Sequence, residues 1–278
     1  MVTKSEVRPS RTADAVRSVL DQGYAVVTLT EAERDLLAGA LLAARVFFAA
    51  DARAKRRHSS ADFNYGYRPM GVEFSVTPDR PDVNECFTLW SDRLDLIPGS
   101  GDLLPLTDAL AAWRDVVAVV VQDVLDGLAA TFPGARAPGF RSASHLQVNS
   151  YLPAPAERSM LQDAHEDGHL VTAQHGTSPG LEVILTDGTA LPVTTAPDQL
   201  LVFPGSALTA LTDGAVLPTF HQVRNIGQAG RQSIMYFVNP ELTEPLHPWG
   251  PGADSGRDLR DAVRHRPEAF GLPSVQDL

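Results

Sequence analysis

Three residues constrain this chain more than any others: His165 and Asp167, two apart, and His221, far downstream. Two imidazoles and one carboxylate are the ligand set of the facial triad that holds non-haem Fe(II) and leaves coordination positions open for substrate and oxygen. In extended backbone His165 and Asp167 point to one face. Fifty-three residues, 168 through 220, separate Asp167 from His221. A helix cannot bring side chains so distant in sequence together, whereas the strands of a β sandwich can. Spacing alone does not separate Fe(II) from other divalent ions that accept nitrogen and oxygen ligands.

Ten residues past His221 come Arg231, Gln232 and Ser233. An Arg and a Ser two apart on a strand point the same way and together can clamp a carboxylate. The run that follows, Ile234 to Val238, is apolar. A charge beside a buried strand needs a partner, which argues against an ordinary surface ion pair for Arg231. Asn149 and Tyr151, also two apart, can add donors. Metal ligands plus a carboxylate clamp predict an oxygenase that consumes a 2-oxo acid.

Bulk properties narrow the partners. The net charge is −11, with 34 acidic against 23 basic residues, which argues against a nucleic-acid partner and against anionic membranes. The one cysteine, Cys86, excludes a disulfide-stapled domain. The polar first ten residues do not read as a signal peptide, and no stretch is apolar enough to span a membrane. The expectation is a cytoplasmic enzyme acting on a small molecule, with its oligomeric state left open.

Along the chain, residues 12–22 read as a short helix ended by Gly23, and Tyr24 to Leu29 as a strand. Thr30 and Glu33 form a capping-box pair. They precede a helix whose apolar positions are Leu36, Leu37, Ala40, Leu41, Ala44, Phe47 and Phe48. Residues 51–105 read as irregular, a length typical of functional lids or binding loops. A second long helix is predicted over 107–132, with Leu110, Trp113, Val117, Val120, Val121, Val124 and Leu128 on one side. From residue 141 short alternating segments recur between turn signals, as in His145 to Tyr151, Leu181 to Val183 and Gln232 to Phe237. These predict a sandwich or jelly roll. One short polar helix is expected over Gly256 to His265. The whole reads as a single domain, 1–278. A mostly helical front half (1–140) packs on a jelly-roll core with the metal site (141–240), followed by a C-terminal extension (241–278).

The chain resembles the isopenicillin N synthase-like group of Fe(II)/2-oxoglutarate-dependent dioxygenases. The likeness rests on His165-x-Asp167, the run Gly168 to Val183, Leu200 to Gly205, Leu211 to Gly214, His221 to Asn225, Arg231-x-Ser233 and Asn149-x-Tyr151-x-Pro153. Gly23-Tyr24, Phe47-Phe48 and Glu85-x-Phe87 extend it weakly into the front half. The resemblance implies an α+β chain with a mainly β core, a double-stranded β-helix (jelly roll) flanked by N-terminal helices. It implies His165, Asp167 and His221 as Fe(II) ligands and as the catalytic centre. It also implies Arg231 and Ser233 on the distal carboxylate of 2-oxoglutarate, with Tyr151 and Asn149 assisting and O2 as oxidant. The expected reaction oxidises an unactivated C–H bond by hydroxylation, desaturation or cyclisation, by analogy in secondary-metabolite or antibiotic biosynthesis.

Gln147 stands where many plant members carry a basic residue, so the substrate end is expected to differ. Candidate substrate contacts are Tyr65, Tyr67, Arg68, Gln147, Phe203 and Asn239, while Phe237 reads as core. His169 and His175 read as surface or pocket residues. Two alternatives stay open: an iron oxidase of the same fold that does not use 2-oxoglutarate, and a metal-binding β-sandwich sensor or binding module.

Overall fold

The computed structural model describes residues 4–91, 93–227, 230–250 and 258–265. Two antiparallel sheets form the core. The larger runs β1 (Ala25–Thr28), β9 (Gln199–Pro204), β6 (Val171–Gly176), β11 (Gln232–Val238), β4 (His145–Tyr151), β3 (Asn84–Trp90) and β2 (Gly66–Arg68). The smaller runs β5 (Met160–His165), β10 (Phe220–Arg224), β7 (Leu181–Ile184) and β8 (Ala190–Pro192). This is the expected jelly roll.

Helices α1 (Lys4–Gln22), α2 (Glu31–Phe48) and α4 (Leu104–Ala129) cover the outer face of the large sheet. The capping box at the start of α2 is formed in both directions: the Glu33 amide donates to Thr30 Oγ1, and the Thr30 amide donates to Glu33 Oε2 at 2.7 Å. All seven apolar positions expected on α4 are buried. On α2 six of the seven are buried, and Leu36 is exposed instead, because it falls at the edge of the apolar stripe. The α1 helix starts earlier than the sequence suggests. The C-terminal helix α6 spans Leu259–His265, and the part of that expectation falling on 256–257 lies outside the described residues.

The pleat of the large sheet sorts its residues between two environments. On β9, Leu200 and Val202 join the core beneath the helices, while Leu201 and Phe203 join a second core between the sheets. On β11, Ile234, Tyr236 and Val238 face the helices, which leaves Ser233, Met235 and Phe237 for the inner face. On β4, Leu146 and Val148 go to the helices, and His145, Gln147 and Asn149 line an inner cavity.

The segment 51–105 departs from the sequence reading. It holds α3 (Ala52–Arg56) and two strands of the large sheet, β2 and β3, the latter buried over nearly its whole length. The strand was obscured by polar residues that have buried partners. Glu85, on the helix-facing side of β3, takes Lys55 Nζ at 2.7 Å, and Tyr67 Oη donates to the same carboxylate. Lys55 Nζ also donates to Phe48 O, which ties α3 to the end of α2.

A buried charge that loses its partner costs about 3–5 kcal/mol, whereas an apolar replacement of both partners is close to neutral. Lys55→Met is therefore expected to lower stability by about that amount in urea unfolding, and Lys55→Met with Glu85→Leu to recover most of the loss.

Candidate active site

The strand β10 pairs with β5 so that His221 lies opposite His165. Their rings stand 4.4 Å apart between centroids. His165 Nδ1 donates to Asp163 O at 2.8 Å and His221 Nδ1 donates to Thr219 O at 3.2 Å. A carbonyl accepts only from a protonated nitrogen, so in each neutral ring the lone pair sits on Nε2. Both Nε2 atoms face Asp167 Oδ1, at 3.7 and 3.9 Å. One ligand atom from each of the three side chains falls within 4.8 Å of the others. Burial pushes the His221 imidazole down to about 4, which keeps it neutral and able to ligate at neutral pH.

Asp167 is not on a strand as expected; β5 ends at His165 and Asp167 follows in the connection to β6. Its placement comes from α5 (Ser206–Leu211). The Ser206 amide donates to Asp167 O at 2.9 Å, the Ala207 amide to His169 O, and the Gly205 amide to Leu170 O. Gly205 is required here, since a Cβ would run into the carbonyl oxygens of Asp167 and His169. The Thr172 hydroxyl donates to Asp167 Oδ2, leaving Oδ1 toward the imidazoles. Burial by itself would raise the Asp167 carboxyl, but the facing imidazoles and the Thr172 hydrogen bond hold it below the ordinary carboxylate range.

The second group of predicted residues also comes together. Arg231 directly precedes β11 and is 1% exposed, yet its Nη1 and Nη2 have no hydrogen-bond partner. Its Nε donates to Ser178 O, and its guanidinium lies 4.5 Å over the Tyr151 ring. Ser233 pairs with Asn149 across β11 and β4, and Ser233 Oγ donates to Tyr151 Oη. Asn149 Nδ2 is buried and unpartnered. A recess beside Arg231 is bounded by Gln174, Gly176 and Leu181. A Cβ on Gly176 would come within 3.1 Å of Arg231 Nη2. Buried unpaired guanidinium nitrogens are costly. The donors, the recess and the glycine fit a carboxylate taken up beside the His/Asp cluster.

Between the two sheets lies a cavity of about 530 Å³ that includes His165, Asp167 and His221 in its wall. Of the substrate candidates, Arg68 and Gln147 line it. Tyr67 does not; the pleat turns it to the helix face, where it meets Phe47 and Glu85. Tyr65 packs beside Trp90, outside the wall. Phe203 is fully buried under His221, with centroids 4.7 Å apart, and supports that imidazole instead of lining the cavity. Asn239 lies behind His169: its Nδ2 donates to Ala143 O, so its Oδ1 accepts from His169 Nδ1.

His169 and Phe237 both line the cavity, whereas His175 is buried and donates to Gln199 O. Burial holds His169 and His175 below the usual histidine range. Sequence reasoning missed Thr172, Glu73, Trp90 and His145. Period-2 reading of β3, β4 and β6 from their apolar positions would have flagged all but Glu73, which comes from a loop.

Residues 143–240 match the family model of the 2OG-Fe(II) oxygenase superfamily. A gibberellin 2-beta-dioxygenase of Phaseolus coccineus is 31% identical over 116 residues, 39% of this chain and 34% of that protein. Gibberellin 2-beta-dioxygenase 4 of Arabidopsis thaliana is 24% identical over 227 residues, 73% of this chain and 67% of the relative. Among solved structures, the 2-oxoglutarate complex of the Arabidopsis thaliana dioxygenase for auxin oxidation shares the fold, with a TM-score of 0.67 and 18% identity over 89% of this chain and 93% of that one. The match to the Phaseolus protein thus spans about a third of its length. The paired histidines and the aspartate all lie inside the segment that matches the 2OG-Fe(II) oxygenase superfamily.

Residues that hold a ligand in place commonly change metal affinity by about 10–100-fold when removed. Thr172→Val keeps the shape but removes the donor to Asp167. It is expected to weaken Fe(II) or Mn(II) binding by about that factor in a chelator competition, with the thermal unfolding midpoint little changed.

Proposed function

We propose that this protein is an Fe(II)- and 2-oxoglutarate-dependent dioxygenase that oxidises a C–H bond of a small molecule, as a tailoring step in secondary metabolism. The observation that carries the reading is Arg231: a buried guanidinium with two unpartnered nitrogens, aimed into a recess beside the cavity that holds the triad. Its partner is taken to be the distal carboxylate of 2-oxoglutarate, gripped through parallel hydrogen bonds. Ser233 and Asn149 add donors, and Tyr151 stacks on the guanidinium and fixes its plane. His165, Asp167 and His221 would hold Fe(II) through Nε2, Oδ1 and Nε2.

Bound Fe(II), with 2-oxoglutarate and O2, supplies the oxidation of a substrate C–H bond, and the co-substrate leaves as succinate and carbon dioxide. The protein's own part is position and exclusion of water. The inner core residues Leu201, Phe203 and Val223 pack together between the sheets, and Val223 also lines the cavity. The Thr172 hydrogen bond and the α5 amides keep Asp167 from swinging. The relatives named for gibberellin oxidation support a small-molecule substrate. No helix among the described residues is long and apolar enough to cross a membrane.

Anaerobic titration of metal-free protein with Fe(II) and then 2-oxoglutarate tests this. A weak visible absorption saturating near one equivalent is expected. Iron binding without the band, or turnover without succinate, would point to an oxidase that does not use the 2-oxo acid. Arg231→Ala is expected to leave iron affinity unchanged and to raise the 2-oxoglutarate requirement by about a hundredfold, because it removes a desolvated charge partner. His165→Ala and Asp167→Ala are expected to abolish iron-dependent succinate formation, each removing one of three anchors.

A further inference from the structure

The cavity wall also carries a second charged cluster, distinct from Arg231. Arg68 leaves β2 toward the cavity, where its Nη1 donates to Glu73 Oε1 at 2.8 Å. Its Nε donates to Phe63 O at 3.0 Å. Phe63 holds a left-handed backbone, φ 61°, which costs a non-glycine residue about 1 kcal/mol or more. That turn aims the carbonyl at Arg68, so the fold spends strain on fixing this guanidinium. Among the described residues Nη2 has no protein partner, and it is left for a ligand.

Glu73 is held still more firmly. Its carboxylate accepts from Arg68, from Gln147 Nε2 at 2.8 Å and from Asn84 Nδ2 at 2.8 Å. Arg68 is the one Lys or Arg side chain on the described cavity wall, against the carboxylates Glu73, Asp82, Glu166 and Asp167. A divalent ion at the triad does not make that balance positive. Burial and the Glu73 charge already push the Asp82 carboxyl up, so this end of the cavity resists further negative charge. His145 brings no countercharge, since burial holds it far below the usual histidine range. Flat apolar surface is present nearby: Trp90 stacks on His145 at 4.3 Å, and Phe237 lies against His145 at 5.1 Å.

We infer that the cavity selects an uncharged, ring-bearing substrate whose carbonyl or ether oxygen accepts from Arg68 Nη2, and that Glu73 sets this choice by neutralising Arg68. The inference rests on the dioxygenase reading of the same site. An anionic group at Nη2 would stand beside the Glu73 carboxylate, and such like-charge contacts cost several kcal/mol. An uncharged oxygen avoids that cost and still uses the oriented donor. A neutral Gln147, where a basic residue would add a positive charge beside Glu73, belongs to the same arrangement.

The test uses matched probes, 1-naphthamide with 1-naphthoate and benzamide with benzoate. Binding to full-length protein loaded with Zn(II) and 2-oxoglutarate is followed by saturation-transfer NMR and calorimetry. The wild type is expected to favour each amide over its acid by about tenfold or more. Glu73→Gln should reverse or erase that preference by admitting the acids. Arg68→Met should weaken the amides without admitting the acids, which keeps the inference testable if Glu73→Gln fails to fold. Acids binding as well as amides in the wild type, no amide binding at all, or an unchanged ratio in Glu73→Gln would each overturn it. Binding of 2-oxoglutarate in the same samples separates the two readings. If it binds while the amide preference is absent, only this inference fails; if it does not bind, the dioxygenase reading fails.

Discussion

The pleat of the seven-stranded sheet is the constraint on which the site depends. One face must bury apolar side chains against α2 and α4, so alternating apolar residues of β4, β6, β9 and β11, such as Val148, Ala173, Val202 and Ile234, are committed to that core. The residues between them are released from packing against the helices and face the small sheet. Gln147, Asn149, Thr172, Gln174 and Ser233 are all on this inner face, and all are buried polar groups. Polar residues survive there only because each has a partner or awaits one. Helices α2 and α4 thus act on the site indirectly, by fixing which face of each strand is free.

Two kinds of order hold the proposed iron ligands. His165 and His221 are paired by strand register, and neighbouring carbonyls fix their tautomers. Asp167 lies outside any strand and depends on the amides at the start of α5, a missing side chain at Gly205 and one hydroxyl from Thr172. The carboxylate clamp follows a third rule. A guanidinium is buried on an aromatic ring with two nitrogens left unpartnered, a cost that the proposed anionic ligand would offset.

Much of this was legible in the sequence. The triad, Arg231, Ser233, Asn149 and Tyr151 meet as their spacing and family likeness suggested, and the capping box and the α4 stripe are formed as read. The failures have physical causes. The segment 51–105 looked irregular because Glu85 and Asn84 interrupt the pattern of β3, and their partners, Lys55 and Glu73, lie in distant or loop positions. Tyr67 and Arg68 were both candidates in sequence; a one-residue step across the pleat sends the first to the helices and the second to the cavity.

The sequence by itself determined which residues could form a ligand set and an anion clamp, and the β architecture needed to unite them, because those depend on residue chemistry and on long separations that only strands can bridge. The tertiary structure alone decided which polar side chains face the cavity and how their charges balance. It paired Arg68 with Glu73, closed the back of His169 with Asn239 and placed Phe203 under His221. Each of these contacts joins residues whose proximity no local pattern encodes, since it arises from register between strands and from loops folded over them. The charge that a substrate meets is therefore a property of the assembled cavity.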